Sequence, residues 1–383
     1  MAYDKVIDSA QLDGALTATA DAIRSVKDST DPIEWDADTG FADALSDVSG
    51  GGDDPRITQI IEGTLTEIVD TNATIVGDYV LYGMRNIKKY TLPNVTQIGL
   101  HAFRASELEE IDAPKVTAIG AYAFETCPLK SINMPNVESV GNYCFDSKLG
   151  ASNSVEVLCE SINFPKLQAT SVYCFKGWNK VSSINMPELT KIDKYTFDRA
   201  LTPTSFSFPK VTTASEGSFK YCAATELDLP ELTHLSTYVF ENMPNLTSVK
   251  LPKAETTGQA VFRNCPSLEF IDFPSLRSIG NKFAFTQCIK LKTIILRRST
   301  TICTLSNVDN FTTSTPFASD GEGGIILVPR DLIPAYQIAT NWSTLYASGK
   351  CLFWAIEDYT QQGDNGGEIA WDYLNADREV AFA

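Results

Sequence analysis

Residues 108–128 read "LEEIDAPKVTAIGAYAFETCP", and residues 129–149 follow at once with "LKSINMPNVESVGNYCFDSKL". The two stretches share the order of leucine, isoleucine, proline, valine, glycine and phenylalanine at one spacing. Working outward, the same proline recurs as Pro93, Pro114, Pro135, Pro165, Pro187, Pro209, Pro230, Pro252 and Pro274, at steps of 21 or 22 residues apart from one of 30. Phenylalanine keeps the same beat from Phe103 and Phe124 through to Phe262 and Phe285. A fixed period in this range is the signature of a solenoid, in which each unit buries its apolar face only against its neighbours.

Within a unit, "SINMP" alternates, so Ile132 and Met134 point inward while Ser131 and Asn133 point outward. Proline then stops the strand because it has no N–H to donate. "VTAIG" supplies Val116 and Ile119 as a second inward contact, and "AYAF" buries Ala123 beside Phe124. The fold class expected is therefore a β-rich (α+β) solenoid of parallel, stacked short strands. About ten units at ~4.8 Å per strand give a stack roughly 45–50 Å long.

The pattern L-x-x-I-x-x-P-x-V-x-x-I-G-x-x-A-F-x-x-C resembles the BspA-type leucine-rich repeats of bacterial surface and phage-encoded proteins, over roughly residues 75–300. Some units depart from it. Asp193 replaces the glycine after Ile192, "VTTASEG" and "AETTG" lack the isoleucine, and residues 148–157, "KLGASNSVEV", are extra. The weak units are expected to keep the backbone path, and the insertion to protrude as a loop.

The organisation read from these patterns has six parts: a helical attachment or oligomerisation segment, 1–48; a Gly/Asp linker, 49–56; an N-terminal cap with a degenerate repeat, 57–86; the repeats proper, 87–300; a C-terminal capping unit, 301–358; and an acidic tail without an assigned role, 359–383. Leu12, Leu16, Ile23 and Val26 share one face of a helix, and Phe41 and Leu45 start a second short stripe. Two short helices bury too little to stand alone, so they predict docking on another body or a homo-oligomer. This segment resembles those that precede varied adhesive modules in tail-associated proteins of phages of gut bacteria. In the capping unit, "GIILVPRDLIPAYQIATNWSTL" predicts a strand and a helix through Tyr336 and Trp342, with "CLFWAIE" as a final strand. The tail is compatible with a disordered segment, a partner-binding segment or a subunit contact.

Charge narrows the partners. The formal net charge is −17, with 13 acidic against 3 basic side chains in residues 1–54 and 7 against 1 in residues 357–383. Acidic ends around a near-neutral body argue against nucleic acid and anionic membranes, which need basic patches. No apolar run is long enough to span a bilayer. The N-terminus has neither a basic n-region nor an apolar h-region, and no LPxTG-type sorting motif is present, so neither secretion by a signal nor wall anchoring is expected. The nine cysteines lack any C-x-x-C pair; Cys127, Cys222, Cys265 and Cys288 each fall three residues after a repeat phenylalanine, as reduced core thiols would.

Catalytic signals are weak. His101 and His234 lie in different repeats and read as solvated positions. No G-x-S-x-G, H-E-x-x-H, P-loop or dinucleotide fingerprint occurs, and "WDADTG" lacks the glutamate that closes a calcium loop. Glu110 with Asp112, and Glu226 with Asp228, sit two apart on one strand face, ~6–7 Å from each other. An open sheet provides no water-excluded pocket to raise one carboxyl pKa for glycoside cleavage. No enzyme activity, cofactor or metal is expected.

What remains is the outward strand column. Its candidate ligand-binding residues are Asp112, Asn133, Asn163, Asn185, Asp228, Phe270 and Asp272, with Phe270 as the stacking residue among hydrogen-bonding side chains. The expectation is a virion component, tail-associated, that attaches to other virion proteins through its N-terminal segment and meets a host surface glycan or protein through its repeats. The alternatives are a cell-surface or cytoplasmic BspA-like adhesion or scaffold protein and, third, a glycan-degrading tail enzyme.

Overall fold

The computed structural model describes residues 64–148, 154–200, 205–312, 314–318, 321–360 and 367–382. The N-terminal attachment residues Leu12, Leu16, Ile23, Val26, Phe41 and Leu45, and the linker 49–56, lie outside the described residues. The chain divides into two compact units, residues 1–186 and 187–383. Among the described residues, each is a β-solenoid whose sheets are parallel throughout.

In the first unit, strands Glu67–Val69, Lys89–Thr91, Glu110–Asp112 and Ser131–Asn133 pair in that order, so that Lys89 faces Glu110 and Asp112 faces Asn133. Strand Ser161–Asn163 pairs with Ser183–Asn185 in the same way. Equal repeat length is what keeps the register constant. The middle residue of each strand points inward, fully buried at Tyr90, Ile111 and Ile162 and half-buried at Ile132 and Ile184, and the residue before proline is buried too, as at Leu92, Ala113 and Met134. After proline, Val95, Val116 and Val137 turn inward, and a second sheet of two-residue strands buries Ile98, Ile119 and Val140.

Two backbone features set how closely turns stack. A Cβ on Gly120 would lie 2.6 Å from the carbonyl carbon of Gly99, and one on Gly141 would lie 2.3 Å from the amide nitrogen of Ala121. The equivalent Ser171 instead donates its hydroxyl to the Val140 carbonyl at 2.7 Å. Two residues beyond these positions the chain enters the left-handed region at Tyr79, His101, Tyr122, Tyr143 and Tyr173, with φ between 55° and 61°. This reverses the chain and aims Phe103, Phe124, Phe145 and Phe175 at one another, with ring centroids 5.1, 5.1 and 5.3 Å apart in near-parallel stacks. Backbone N–H groups of Tyr122 and Phe124 donate to the carbonyls of Asn142 and Cys144, locking one turn to the next.

The second unit repeats the scheme through strands Ser205–Ser207, Glu226–Asp228 and Ser248–Lys250, and its phenylalanine stack runs Phe197, Phe219, Phe240, Phe262, Phe285 and Phe311. The weak units keep the backbone path: Ala214 and Thr257 occupy the isoleucine position in strands Thr213–Ala214 and Thr256–Thr257. Thr257 adds a hydrogen bond from the Gly280 N–H, 3.1 Å. The last four strands, Phe270–Phe273, Thr293–Leu296, Gly324–Val328 and Cys351–Ala355, form one parallel sheet.

Between the last two strands lie helices α1 (Ile333–Ile338) and α2 (Trp342–Ala347). They cover the core end with Tyr336 and Trp342, both buried. The Cys303 N–H donates to Tyr336 Oη and Trp342 Nε1 donates to the Cys303 carbonyl, each at 2.7 Å. The cysteines are all reduced and buried. Cys127, Cys222, Cys265 and Cys288 donate Sγ–H to the phenylalanine carbonyl of the preceding turn, at 2.8 to 3.1 Å, at Phe103 and Phe197 alongside the N–H of Ser106 and of Ala200. Burial pushes the Cys127 thiol up to about 12.

One departure from the sequence reading follows from contacts made by neighbouring turns. His101 is not solvated: its ring is sandwiched between Tyr79 and Tyr122 at 4.8 and 4.7 Å, and burial, with the nearby Arg104 charge, lowers its pKa to about 4. The tail, whose role the sequence left open, carries a third helix, α3 (Trp371–Phe382). Of the insertion, residues 149–153 lie outside the described residues, while Val155 N–H bonds to the Ser147 carbonyl at 3.1 Å and Val157 is buried.

Candidate functional site

The outward strand face is built two residues at a time, since the buried middle residue of each strand leaves its neighbours facing solvent. In the first unit the register sets like side chains side by side at sheet spacing, and they bond along the stack. Asn133 Nδ2 donates to Asp112 Oδ1 at 2.6 Å, and Asn185 Nδ2 donates to Asn163 Oδ1 at 2.7 Å. Lys89 lies 3.7 Å from Glu110. Just before the strands, Glu109 stands between Lys130 and Lys88, whose hydrogen bonds hold its carboxyl below the usual range. The face is thus an ordered array of amides, hydroxyls and partnered charges.

In the second unit Ser205 and Ser207 donate to Glu226 and Asp228 at 2.9 and 3.0 Å. Phe270 and Asp272 do not belong to the open array. The Trp371 ring of α3 sits 4.6 Å from Phe270, and Arg297 Nε reaches both Asp272 oxygens at 2.9 Å. Arg297 also donates to the Gly367 carbonyl at 3.4 Å. The stacking residue expected from sequence is therefore half-buried, and its partner is Trp371. Here the outward column turns apolar: Ile295, Ile325 and Leu327 form a buried cluster with Ile356, Tyr359, Ile369 and Leu374, against which Trp354, Trp371 and Phe382 pack. Along α3 the stripe Trp371, Leu374, Arg378 and Phe382 faces this sheet at helical spacing.

The other side of each turn holds chemistry that the sequence reading passed over. The residue directly after each repeat phenylalanine is charged in eight turns: Arg104, Glu125, Asp146, Lys176, Asp198, Lys220, Glu241 and Arg263. Glu125 is buried and ion-paired to Arg104 and Lys148, and Glu241 is buried and ion-paired to Lys220 and Arg263. Next to them, tyrosines stack in a second ladder, with Tyr122 and Tyr143 4.8 Å apart. Both columns recur at one offset from phenylalanine, so aligning the repeats on Phe in place of Pro finds them. Among the described residues no group of three or more His, Cys, Asp and Glu side chains is placed to hold a metal ion. No helix among them is long and apolar enough to cross a membrane.

A family model described as the BspA type leucine rich repeat region matches residues 64–152 and 168–292, in six copies. No curated protein matches the chain. Among solved structures, the chain is similar to a leucine-rich repeat protein from Eubacterium ventriosum, with 18% identity, 60% of this chain and 78% of that chain covered, and a TM-score of 0.35. It is similar to a leucine rich cell surface protein from Faecalibacterium prausnitzii (20% identity, 61% and 82% covered, TM-score 0.29). The pneumococcal vaccine antigen PcpA is a third (14% identity, 76% and 79% covered, TM-score 0.36).

Proposed function

The chain belongs to the BspA-type leucine-rich repeat family, and from that premise we propose that it is a non-enzymatic recognition protein that binds a host surface glycan or protein on its outward strand face. One observation carries this reading: Asp112 with Asn133, and Asn163 with Asn185, are set in register as pairs and fixed by their own hydrogen bonds. An array held this way loses little side-chain entropy on binding, which favours affinity. The carboxylates considered for glycoside cleavage are engaged, Glu110 by Lys89 and Glu226 and Asp228 by serines, which supports binding over turnover.

The test is adhesion of the full chain to host cells. Asn163→Ala with Asn185→Ala removes two exposed amides and leaves the core untouched, so binding should fall at least tenfold while the unfolding midpoint stays within experimental error. Unchanged adhesion would remove the strand face from the reading.

The proposal extends to location, where the resemblance of residues 1–48 to attachment segments of phage tail proteins supports a virion component that anchors through Leu12, Leu16, Ile23, Val26, Phe41 and Leu45. Immunogold labelling with antibody to residues 75–356 should decorate the tails of induced particles. Gold confined to the bacterial envelope or cytosol would replace the virion reading with a cellular adhesin or scaffold.

A further inference from the structure

Two residues after the repeat phenylalanine, the chain passes through the left-handed region a second time, except in the turn of Phe145, where Lys148, one residue later, takes that conformation. In the first unit this position holds small residues in three turns, Ala105, Thr126 and Gly177, with φ of 58°, 58° and 78°. In the second unit it holds Arg199, Tyr221, Asn242, Asn264 and Gln287, with φ between 57° and 63°. Asn is at ease there, whereas long or aromatic side chains are uncommon and raise the conformational energy. At this position the backbone path is served by Ala, Thr, Gly or Asn in other turns, so it does not itself require the large cation Arg199 and the large ring Tyr221 in adjacent turns.

The row is continuous. The N–H groups of Arg199, Tyr221, Asn242 and Asn264 donate to the carbonyls of Lys220, Glu241, Arg263 and Thr286 in the following turns, at 2.8 to 3.0 Å. The five side chains thus repeat at the solenoid spacing, about 4.8 Å. Asn264 Nδ2 donates to Asn242 Oδ1 at 2.7 Å, which orients both amides. Arg199 is exposed, and its guanidinium carbon lies 4.4 Å from the centroid of the Tyr221 ring, itself 41% exposed. Stacking engages the face of the guanidinium and leaves its N–H edge for an anion. Lys220 Nζ approaches the same ring at 5.3 Å and the Tyr238 ring at 5.2 Å, so the ridge is positive beside its aromatic rings. The acid beneath, Glu241, is fully buried and neutralised by Lys220 and Arg263. The acid next to Arg199 in the chain, Asp198, is buried as well.

We propose that the ridge Arg199, Tyr221, Asn242, Asn264 and Gln287 is a binding site for a linear acidic polysaccharide. Arg199 takes a sugar carboxylate through its paired N–H donors, Tyr221 packs on the C–H face of a pyranose ring, and the three amides bond ring hydroxyls along the chain. A polymer suits the site because the row offers one recognition group per turn over five turns, a spacing comparable to that of linked sugars. The site lies on a different side of the turn from the strand array, so it stands or falls separately from the strand-face reading.

The test measures binding of the full chain to immobilised polygalacturonate, alginate and hyaluronate, each with its carboxyl-reduced form. At least one should bind, and its reduced form should bind more than tenfold more weakly. Arg199→Asn and Tyr221→Asn place a residue that tolerates the left-handed backbone, so both should keep the wild-type unfolding midpoint and each should weaken binding at least tenfold. The variant Asn163→Ala with Asn185→Ala should bind these polymers normally. Failure of all three polymers to bind, equal binding of the reduced forms, or full binding by both ridge variants would overturn the site.

Discussion

Phe124→Ala is expected to destabilise the first unit by about 3–5 kcal/mol, the range for emptying a buried phenylalanine site. The ring is 1% exposed and lies between Phe103 and Phe145, with both centroids 5.1 Å away. Removing it takes away two stacking partners at once, and the backbone cannot collapse into the space because its N–H groups are bonded to the next turn. In a solenoid each turn is supported only by its neighbours, so the loss is local. Trp178 reports it: the indole packs edge-on against Phe145 and Phe175 and donates to the Phe145 carbonyl at 2.6 Å. Urea unfolding followed by hydrogen exchange should show residues 87–186 opening earlier, with the stack from Phe197 to Phe311 unchanged. A loss below about 1 kcal/mol would mean that the ring ladder is not a main source of stability.

The second large effect is electrostatic. Glu241 is fully buried, its carboxylate meets Lys220 at 2.6 Å, and Arg263 pairs with its other oxygen. Glu241→Gln keeps the shape, removes the charge and leaves two cations facing each other. A loss of about 3 kcal/mol is expected, the lower end of the range for breaking a buried pair, because Lys220 and Arg263 are themselves partly exposed and can turn to water. The decisive comparison is Lys220→Met with Glu241→Leu. If the pair is costly to bury and only its breaking is harmful, the double variant should be more stable than Glu241→Gln alone. A double variant less stable than Glu241→Gln would show instead that the ion pair itself contributes net stability, whereas strictly additive losses in the single and double variants would mean that Lys220 and Glu241 do not couple.

The outward array was legible because its members obey two rules visible in the chain: alternation within a strand and a constant repeat length between strands. Those rules give the pairing of Asp112 with Asn133 and of Asn163 with Asn185 without coordinates. The same rules mislead at Phe270 and Asp272, which sit at outward positions yet are engaged by Trp371 and by Arg297, neither of them one repeat length away. They also mislead at His101, whose exposure is decided by tyrosines one turn to either side.

By itself, then, the sequence determined the solenoid: proline stops each strand, glycine admits the next turn, and Ile, Val and Phe at steps of 21 or 22 residues fill a shared core. Periodic contacts recur at one sequence separation, so a repeated residue type announces its own partner. Only the tertiary structure decided where the polar face ends, because α3 binds the final sheet through Trp371, Leu374 and Phe382 at separations that no repeat length predicts. A twelve-residue helix with one apolar stripe fits many surfaces. Ile295, Leu327 and Trp354, apolar at positions that are polar in earlier turns, are what select this one.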